Sequence, residues 1–281
     1  DVAAPAPAPV AAVEIWGAEA SPIEAFGYHA RLSVTSYSGA AVADFPMLVR
    51  LRENEPQGFR YNQTEPNGAG LRFYAVDATG AVVLEEGVAK PLPYEVEEWN
   101  PDGETAIWVR VPRYEAGQVA VMCWGLVDGY EMPARPATTD VWKDFTAVYH
   151  MTETIDELTA TTKSKDSTAY KKDATPVAGT NGDVTQMVST NGVVGTGRVN
   201  MLGNSVPASQ GNCLNTGIQN MGNVFTVSGW FHMSKATSYQ RLLGNKSGTN
   251  NGGWSIEMAN NSSTSFLVRD NASSQAADNV T

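Results

Sequence analysis

Cysteine is nearly missing from this chain. Only Cys123 and Cys213 occur in 281 residues, too few for a small scaffold stapled by disulfides. Cys123 sits in the apolar run Val119–Trp124 and Cys213 in the polar stretch Gly211–Gly217. A bridge would join two different domains and needs Cα atoms within about 7 Å. The preferred reading is two half-buried thiols that act as small hydrophobes. So low a count leaves export open, because large sandwiches stand without bridges. Histidine is equally scarce. His29, His150 and His232 fall at no zinc-binding spacing, and His150 and His232 read as structural hydrogen-bonding residues. Long apolar runs are lacking too, so no segment approaches the stretch of about 20 residues that a membrane-spanning helix needs. Basic charge is thin. Nineteen Lys and Arg face 30 Asp and Glu, for a net charge of −11. That balance argues against nucleic acid and against an anionic membrane surface as partners, and it favours solubility. Neither a Gly-x-Ser-x-Gly elbow nor a phosphate-binding loop is found. The Gly-rich stretch Gly192–Gly197 follows no strand–helix unit and reads as a turn.

What is present is apolar and turn-rich. Hydrophobic residues make up 42% and charged residues 17%, enough to bury a core in each of about two domains. Residues 1–25 form an Ala/Pro-rich arm, and its first 13 residues are an Ala/Pro tract in which Ala alternates with Pro from Ala4 to Pro9. Proline fixes φ and removes donors, so an extended spacer is expected there. A solvated tail is the preferred reading over a tether or a strand lent to a neighbour. Asp1 reads as the mature terminus left after signal removal, and a chain cut there by design would look the same.

From Tyr28 a period of two takes over. Strands are expected at Tyr28–Val34, Phe45–Leu51, Leu71–Val76, Leu92–Trp99, Ala106–Val111 and Val119–Trp124. Turn signals separate them at Ser38-Gly39, Pro66-Asn67-Gly68, Asp77–Gly80, Asn100–Gly103 and Glu115–Gly117. Short strands at this spacing predict an antiparallel sandwich. No helix is expected before residue 130. Val127–Thr139, with Pro133 and Pro136, is the candidate linker. Further on, strands are expected at Ala147–Met151, Asn223–Met233, Arg241–Asn245, Trp254–Met258 and Ser265–Arg269, with a short helical turn at Asp156–Thr162. The fold class is therefore all-β, with two consecutive antiparallel β-sandwiches, one over 26–135 and one over 136–281.

Two ordered sets of motifs carry a resemblance. The first runs Asp44–Leu51, Gly70–Phe73, Pro93–Asn100, Ile107–Pro112 and Met122–Gly125. It resembles a bacterial domain of unknown function that precedes laminin-G-like modules in exported proteins. That domain is also found ahead of proton-channel segments of the MotA/TolQ/ExbB kind. The second set is Val148–Met151, Lys165–Thr168, Gly192–Gly197, Phe225–Trp230, Gln240–Lys246 and Gly253–Glu257. It is similar to the opening half of a concanavalin A-like, laminin-G-like jelly roll. The resemblance implies further strands after Ser265–Arg269, so a longer natural chain is expected, with strands supplied from elsewhere as the alternative.

Catalytic chemistry is poorly supplied. A glycosidase needs two carboxylates about 5–9 Å apart across one sugar bond, and the Glu-x-Asp-x-x-Glu pattern of jelly-roll glucanases does not occur. Glu95, Glu97 and Glu98 come closest. Glu95 and Glu97 share a strand face, but a solvated outward face opposite Tyr94 and Val96 is the preferred reading. No metal ligands are assigned. The resemblance brings calcium into view near Asp166, Asp173 or Asp183, against a reading of turn-forming aspartates. A sugar platform needs an exposed aromatic ring with polar neighbours. Trp254, Tyr239 and Asn251 are candidates, although Trp254 reads first as core. Asn-x-Ser/Thr sequons at Asn62, Asn245, Asn260, Asn261, Asn271 and Asn279 arise by chance in an Asn- and Ser-rich chain. No catalytic residue and no specific ligand-binding residue is assigned. The expected function is non-catalytic binding or display at the cell surface or in the periplasm, with a glycan or a surface protein as ligand. Self-assembly, or downstream domains of the same chain, are further partners. An ectodomain of a proton-channel assembly is the first alternative, and a glycan-cleaving enzyme the second.

Overall fold

The computed structural model describes residues 24–153, 163–178, 182–184, 187–198, 212–218, 221–222, 224–232, 240–245, 253–258 and 264–269. Over them the protein is all-β, with antiparallel sheets. No helix of 7 or more residues occurs among the described residues, and none is long and apolar enough to cross a membrane. The chain forms two compact units. One runs to Val148 and includes Ser167–Tyr170, and the other holds Tyr149–Asp166 and the residues from Lys171 onward.

The first unit is a sandwich of two three-stranded sheets. Its strands are β1 (Phe26–Val34), β2 (Val42–Leu51), β3 (Arg72–Ala75), β4 (Leu84–Glu85), β5 (Val88–Ala89), β6 (Tyr94–Glu98), β7 (Thr105–Tyr114) and β8 (Gly117–Leu126). One sheet has the order β1-β8-β3 and the other β2-β7-β6. The six strands expected from alternation all form, and most extend further than the apolar residues alone indicated. The pair β4–β5 was not expected, because two-residue strands leave no periodic pattern.

Alternation decides which side chains meet. Ile107, Val109 and Val111 of β7 turn inward with Met47, Val49 and Leu51 of β2. Against them lie Ala30 and Leu32 of β1, Phe73 of β3, and Ala120, Met122 and Trp124 of β8. Rings close the end of this core. Phe59 meets Trp124 edge-on at 5.5 Å, and Phe73 meets Tyr94 at 5.1 Å. The turn signals act as their chemistry suggests. Asp77 Oδ1 accepts the N–H groups of Thr79 and Ala81 at 2.8 and 3.1 Å, an Asx turn that leads into Gly80. At Pro66–Gly68 the backbone is left-handed at Asn67 (φ 58°) and Gly68 (φ 68°). A Cβ on Gly68 would also lie 3.0 Å from Val96 and 3.1 Å from Trp99, so any larger residue there is strained.

A second apolar layer covers the outer face of the β1-β8-β3 sheet. Phe26, Tyr74, Val121 and Cys123 are buried there beneath Val76, Val82, Ala89 and Met132. Cys123 and Cys213 are both thiols, and burial raises the pKa of each.

The second unit contains smaller ladders. Strand β9 (Thr175–Ala178) pairs with β12 (Asn212–Asn215), and β10 (Ser189–Asn191) pairs with β11 (Thr196–Arg198). Strands β13 (Gln240–Gly244), β14 (Gly253–Met258) and β15 (Thr264–Arg269) make a three-stranded sheet. The last three match expectation. Two other expected strands are corrected. Ala147–Met151 supplies only an isolated bridge, Tyr149 to Asp166. Over 224–232 there is no ladder, because no neighbouring strand among the described residues takes up its backbone groups. The helical turn expected at Asp156–Thr162 lies outside the described residues.

Two desolvated phenols, one buried and one half-buried, make stability fall at alkaline pH. Desolvation, and then the neighbouring Cys123, push Tyr74 from its ordinary value of 10.0 to about 12. Burial, with Asp166 and Asp173 nearby, does the same to Tyr149. A raised folded-state value favours the neutral phenol. The stabilisation is therefore complete below about pH 10 and is lost as pH rises toward about 12. Tyr74→Phe should flatten that fall in part, read by urea denaturation of the two proteins at neutral and alkaline pH.

Candidate functional site

Inward-facing Tyr94 and Val96 of β6 force Glu95 and Glu97 onto the outer face of the β2-β7-β6 sheet. On β7 the same parity turns Trp108 and Arg110 outward, and Glu95 lies directly opposite Trp108 in the ladder. The 3₁₀ turn Thr138–Trp142 packs on this face. Its Trp142 meets Trp108 edge-on at 5.4 Å, and Phe145 at 5.3 Å.

The carboxylates are held in this aromatic layer. The Trp142 indole N–H donates to Glu95 Oε2, and Ser167 Oγ donates to Glu95 Oε1 at 2.8 Å. The Trp108 indole N–H donates to Glu97 Oε2. Arg110, with a side chain only 4% exposed, pairs with Asp144 and with Asp44 at 3.4 Å. It also donates to the Val141 carbonyl at 3.3 Å. Its guanidinium holds the Asp144 carboxyl below its ordinary pKa.

Beside this layer, along the edge of β6, lies an open cleft of about 440 Å³. Asn67, Glu95, Val96, Glu97, Trp99, Arg135 and Thr138 line it. The left-handed turn at Asn67 forms one wall. The chain leading into the 3₁₀ turn supplies further lining, and there the Arg135 guanidinium lies 4.2 Å from the centre of the Tyr94 ring. This is a cation–π contact. The Tyr94 hydroxyl donates to the Gly68 and Leu71 carbonyls at 2.7 and 3.0 Å, tying β6 to the Asn67 wall. The expected linker Val127–Thr139 therefore supplies cleft residues. Its Pro133 carbonyl accepts Arg72 Nε at 2.7 Å.

The lining offers donors from Asn67, Arg135 and Thr138, acceptors from Asn67, Glu95 and Glu97, and a partly buried indole, Trp99. Such a set can hydrogen-bond a polar ligand beside an apolar ring. Proton transfer is less well served, because the Glu95 and Glu97 carboxylates already accept hydrogen bonds from indoles.

The other residues singled out in the sequence are scattered. His29 lies on β1 opposite Cys123, and His150 is half-buried. His232, expected within a core strand, is exposed, since its segment joins no sheet. Asp166 and Asp173 do come together, as turn residues. The Asp166 N–H donates to Asp173 Oδ1 at 3.0 Å, and the Lys172 N–H donates to Asp166 Oδ2 at 2.9 Å. Asp183 accepts Asn212 Nδ2 through its main-chain oxygen at 2.8 Å. Among the described residues no group of 3 or more His, Cys, Asp or Glu is placed to hold a metal ion. Trp254 packs on Phe225 at 5.1 Å. Tyr239 and Asn251 lie outside the described residues. Sequon residue Asn245 uses its Oδ1 to accept the Trp254 N–H at 3.0 Å.

Sequence reasoning missed Arg135, Asn67 and Trp142 as members of this face. It also missed a buried ion pair in the second unit. Arg198 (0% exposed) donates to Glu153 (8%). Glu153 also accepts the Lys165 N–H at 2.7 Å and Ser164 Oγ at 3.3 Å. The carboxylate is well satisfied, although Arg198 Nε and Nη1 are buried without a hydrogen-bond partner, and the pair is read as structural. No protein-family model, no curated protein and no solved structure matches the chain.

Glu95→Ala should leave the Trp142 indole N–H without this acceptor and cost about 1–3 kcal/mol. Exchange of that indole proton, followed by NMR, should speed up. Glu98→Ala should stay within about 0.5 kcal/mol of the parent.

Proposed function

We propose that this chain is a non-catalytic binding or display protein of an exported, surface or periplasmic kind. On this reading it takes glycan or protein ligands in the cleft along β6. One observation carries the reading. The cleft presents hydrogen-bonding groups of both senses beside an indole, while its two carboxylates are engaged by Trp108 and Trp142. A general acid must give up a proton to the leaving group in the transition state. Carboxylates that serve as acceptors for indole N–H groups are better suited to holding a surface in shape. The acidic chain and the lack of a phosphate-binding loop support a neutral or basic ligand over a nucleic acid.

The export part rests on the resemblance of the motifs in 26–135 to a bacterial domain of unknown function that precedes laminin-G-like modules in exported proteins, and of those in 136–281 to the opening half of a laminin-G-like jelly roll. Among ligands, a neutral glycan suits the cleft best. Its hydroxyls can serve both Arg135 and Glu97, and its apolar ring face suits Trp99.

Glycan and peptide arrays probed with the full chain should return neutral oligosaccharide hits. Arg135→Ala and Asn67→Ala should each weaken the best hit by about tenfold, the scale of one lost charged or bidentate hydrogen bond, as read by titration calorimetry. Silence on the glycan array would remove the glycan reading. Turnover of a polysaccharide that Glu97→Gln abolishes would replace binding with catalysis.

A further inference from the structure

Residues 224–232 carry large apolar side chains in the open. Val224 is 92% exposed, Trp230 61% and Phe231 49%. The segment belongs to no ladder, yet Val224-Phe225-Thr226-Val227-Ser228-Gly229-Trp230-Phe231-His232 is rich in β-branched and aromatic residues and free of proline. That composition favours a strand. One end is anchored in the second unit, where Phe225 lies against Trp254. At the other end the Phe231 ring folds over Gly229, so closely that a Cβ on Gly229 would lie 3.2 Å from it. An unpaired strand-forming segment with apolar side chains is a template for a further strand.

The sequence also indicates which strand fits. No Asp, Glu, Lys or Arg occurs from Val199 to Ser234, in a chain whose net charge is −11. A charged partner segment would find no counter-charge there, whereas a second copy brings none. Laid antiparallel to itself about Ser228, the segment places Phe225 opposite Phe231 at both ends. It also places Thr226 opposite Trp230, and Val227 opposite Gly229. Aromatic residues directly opposite one another are a favourable cross-strand pair. We propose that two copies of this chain associate by antiparallel pairing of 224–232 about Ser228, a two-fold, self-complementary contact.

The full chain should sediment as a dimer that dissociates on dilution. Phe231→Lys removes both aromatic pairs and should raise the dissociation constant by about tenfold or more. A second test does not depend on a disruptive change. In a Cys213→Ser background, Ser228→Cys lies opposite its own copy and should form a disulfide-linked dimer on mild oxidation. Val224→Cys lies opposite His232 and should not. A chain that stays monomeric at every concentration overturns the proposal, including one that instead binds neutral lipid vesicles. So does a dimer that Phe231→Lys leaves unchanged, or equal crosslinking at both cysteine positions.

Discussion

The first unit depends on the facing of two central strands, β7 and β8. Ile107, Val109 and Val111 of one, and Ala120, Met122 and Trp124 of the other, fill the space between the sheets. Burying each larger side chain contributes about 1.5–3 kcal/mol. A slip of one residue in either strand would turn the whole set out to water. Everything on the outer faces follows from that parity. With Ile107 and Val109 inside, Trp108 and Arg110 must face outward, where they meet Glu97 and Asp144. With Met122 and Trp124 inside, Val121 and Cys123 must face outward, where they meet Phe26 and Tyr74 under a second apolar layer.

The polar face on β6 and β7 illustrates how one arrangement favours one chemistry over another. Glu95 and Glu97 stand on the same side of an edge strand, two residues apart, about 7 Å along the chain at normal strand rise. On spacing alone they could flank a sugar bond. The 3₁₀ turn Thr138–Trp142 changes their role. It brings Trp142 down onto Glu95, while Trp108 reaches diagonally to Glu97. Both carboxylates become part of the wall, and the cleft beside them is left with Asn67, Trp99 and Arg135 to meet a ligand. Arg110 reinforces the same docking through the Val141 carbonyl and Asp144, so one buried cation and two indoles fix the turn to the sheet.

The second unit shows the converse. Its ladders are short, and its most strand-like sequence, around Thr226–Phe231, pairs with nothing among the described residues. A strand is completed by its neighbours, since each backbone N–H and C=O needs a partner. Good composition at 224–232 therefore gives no sheet by itself. Where partners are at hand, as for β13, β14 and β15, equally short sequences form one.

The amino-acid sequence by itself determined the all-β class, the six main strands of the first unit and several of its turns. Alternation and turn chemistry act over a few residues, so they are legible without a fold. Asp77 building its own Asx turn, and Asn67-Gly68 taking the left-handed region, are of this local kind. The pairing of Asp166 with Asp173 belongs with them, being a turn closed within eight residues. Only the tertiary structure decided that Trp142 reaches back 47 positions to Glu95, that Ser167 reaches back 72, and that Arg135 lies over Tyr94. These contacts leave no periodic trace, because they depend on where the chain crosses the sheet after β8 and not on any neighbour in sequence. The cleft was invisible for the same reason: its walls come from a turn, an edge strand and a stretch that reads as a linker, and only packing brings the three together.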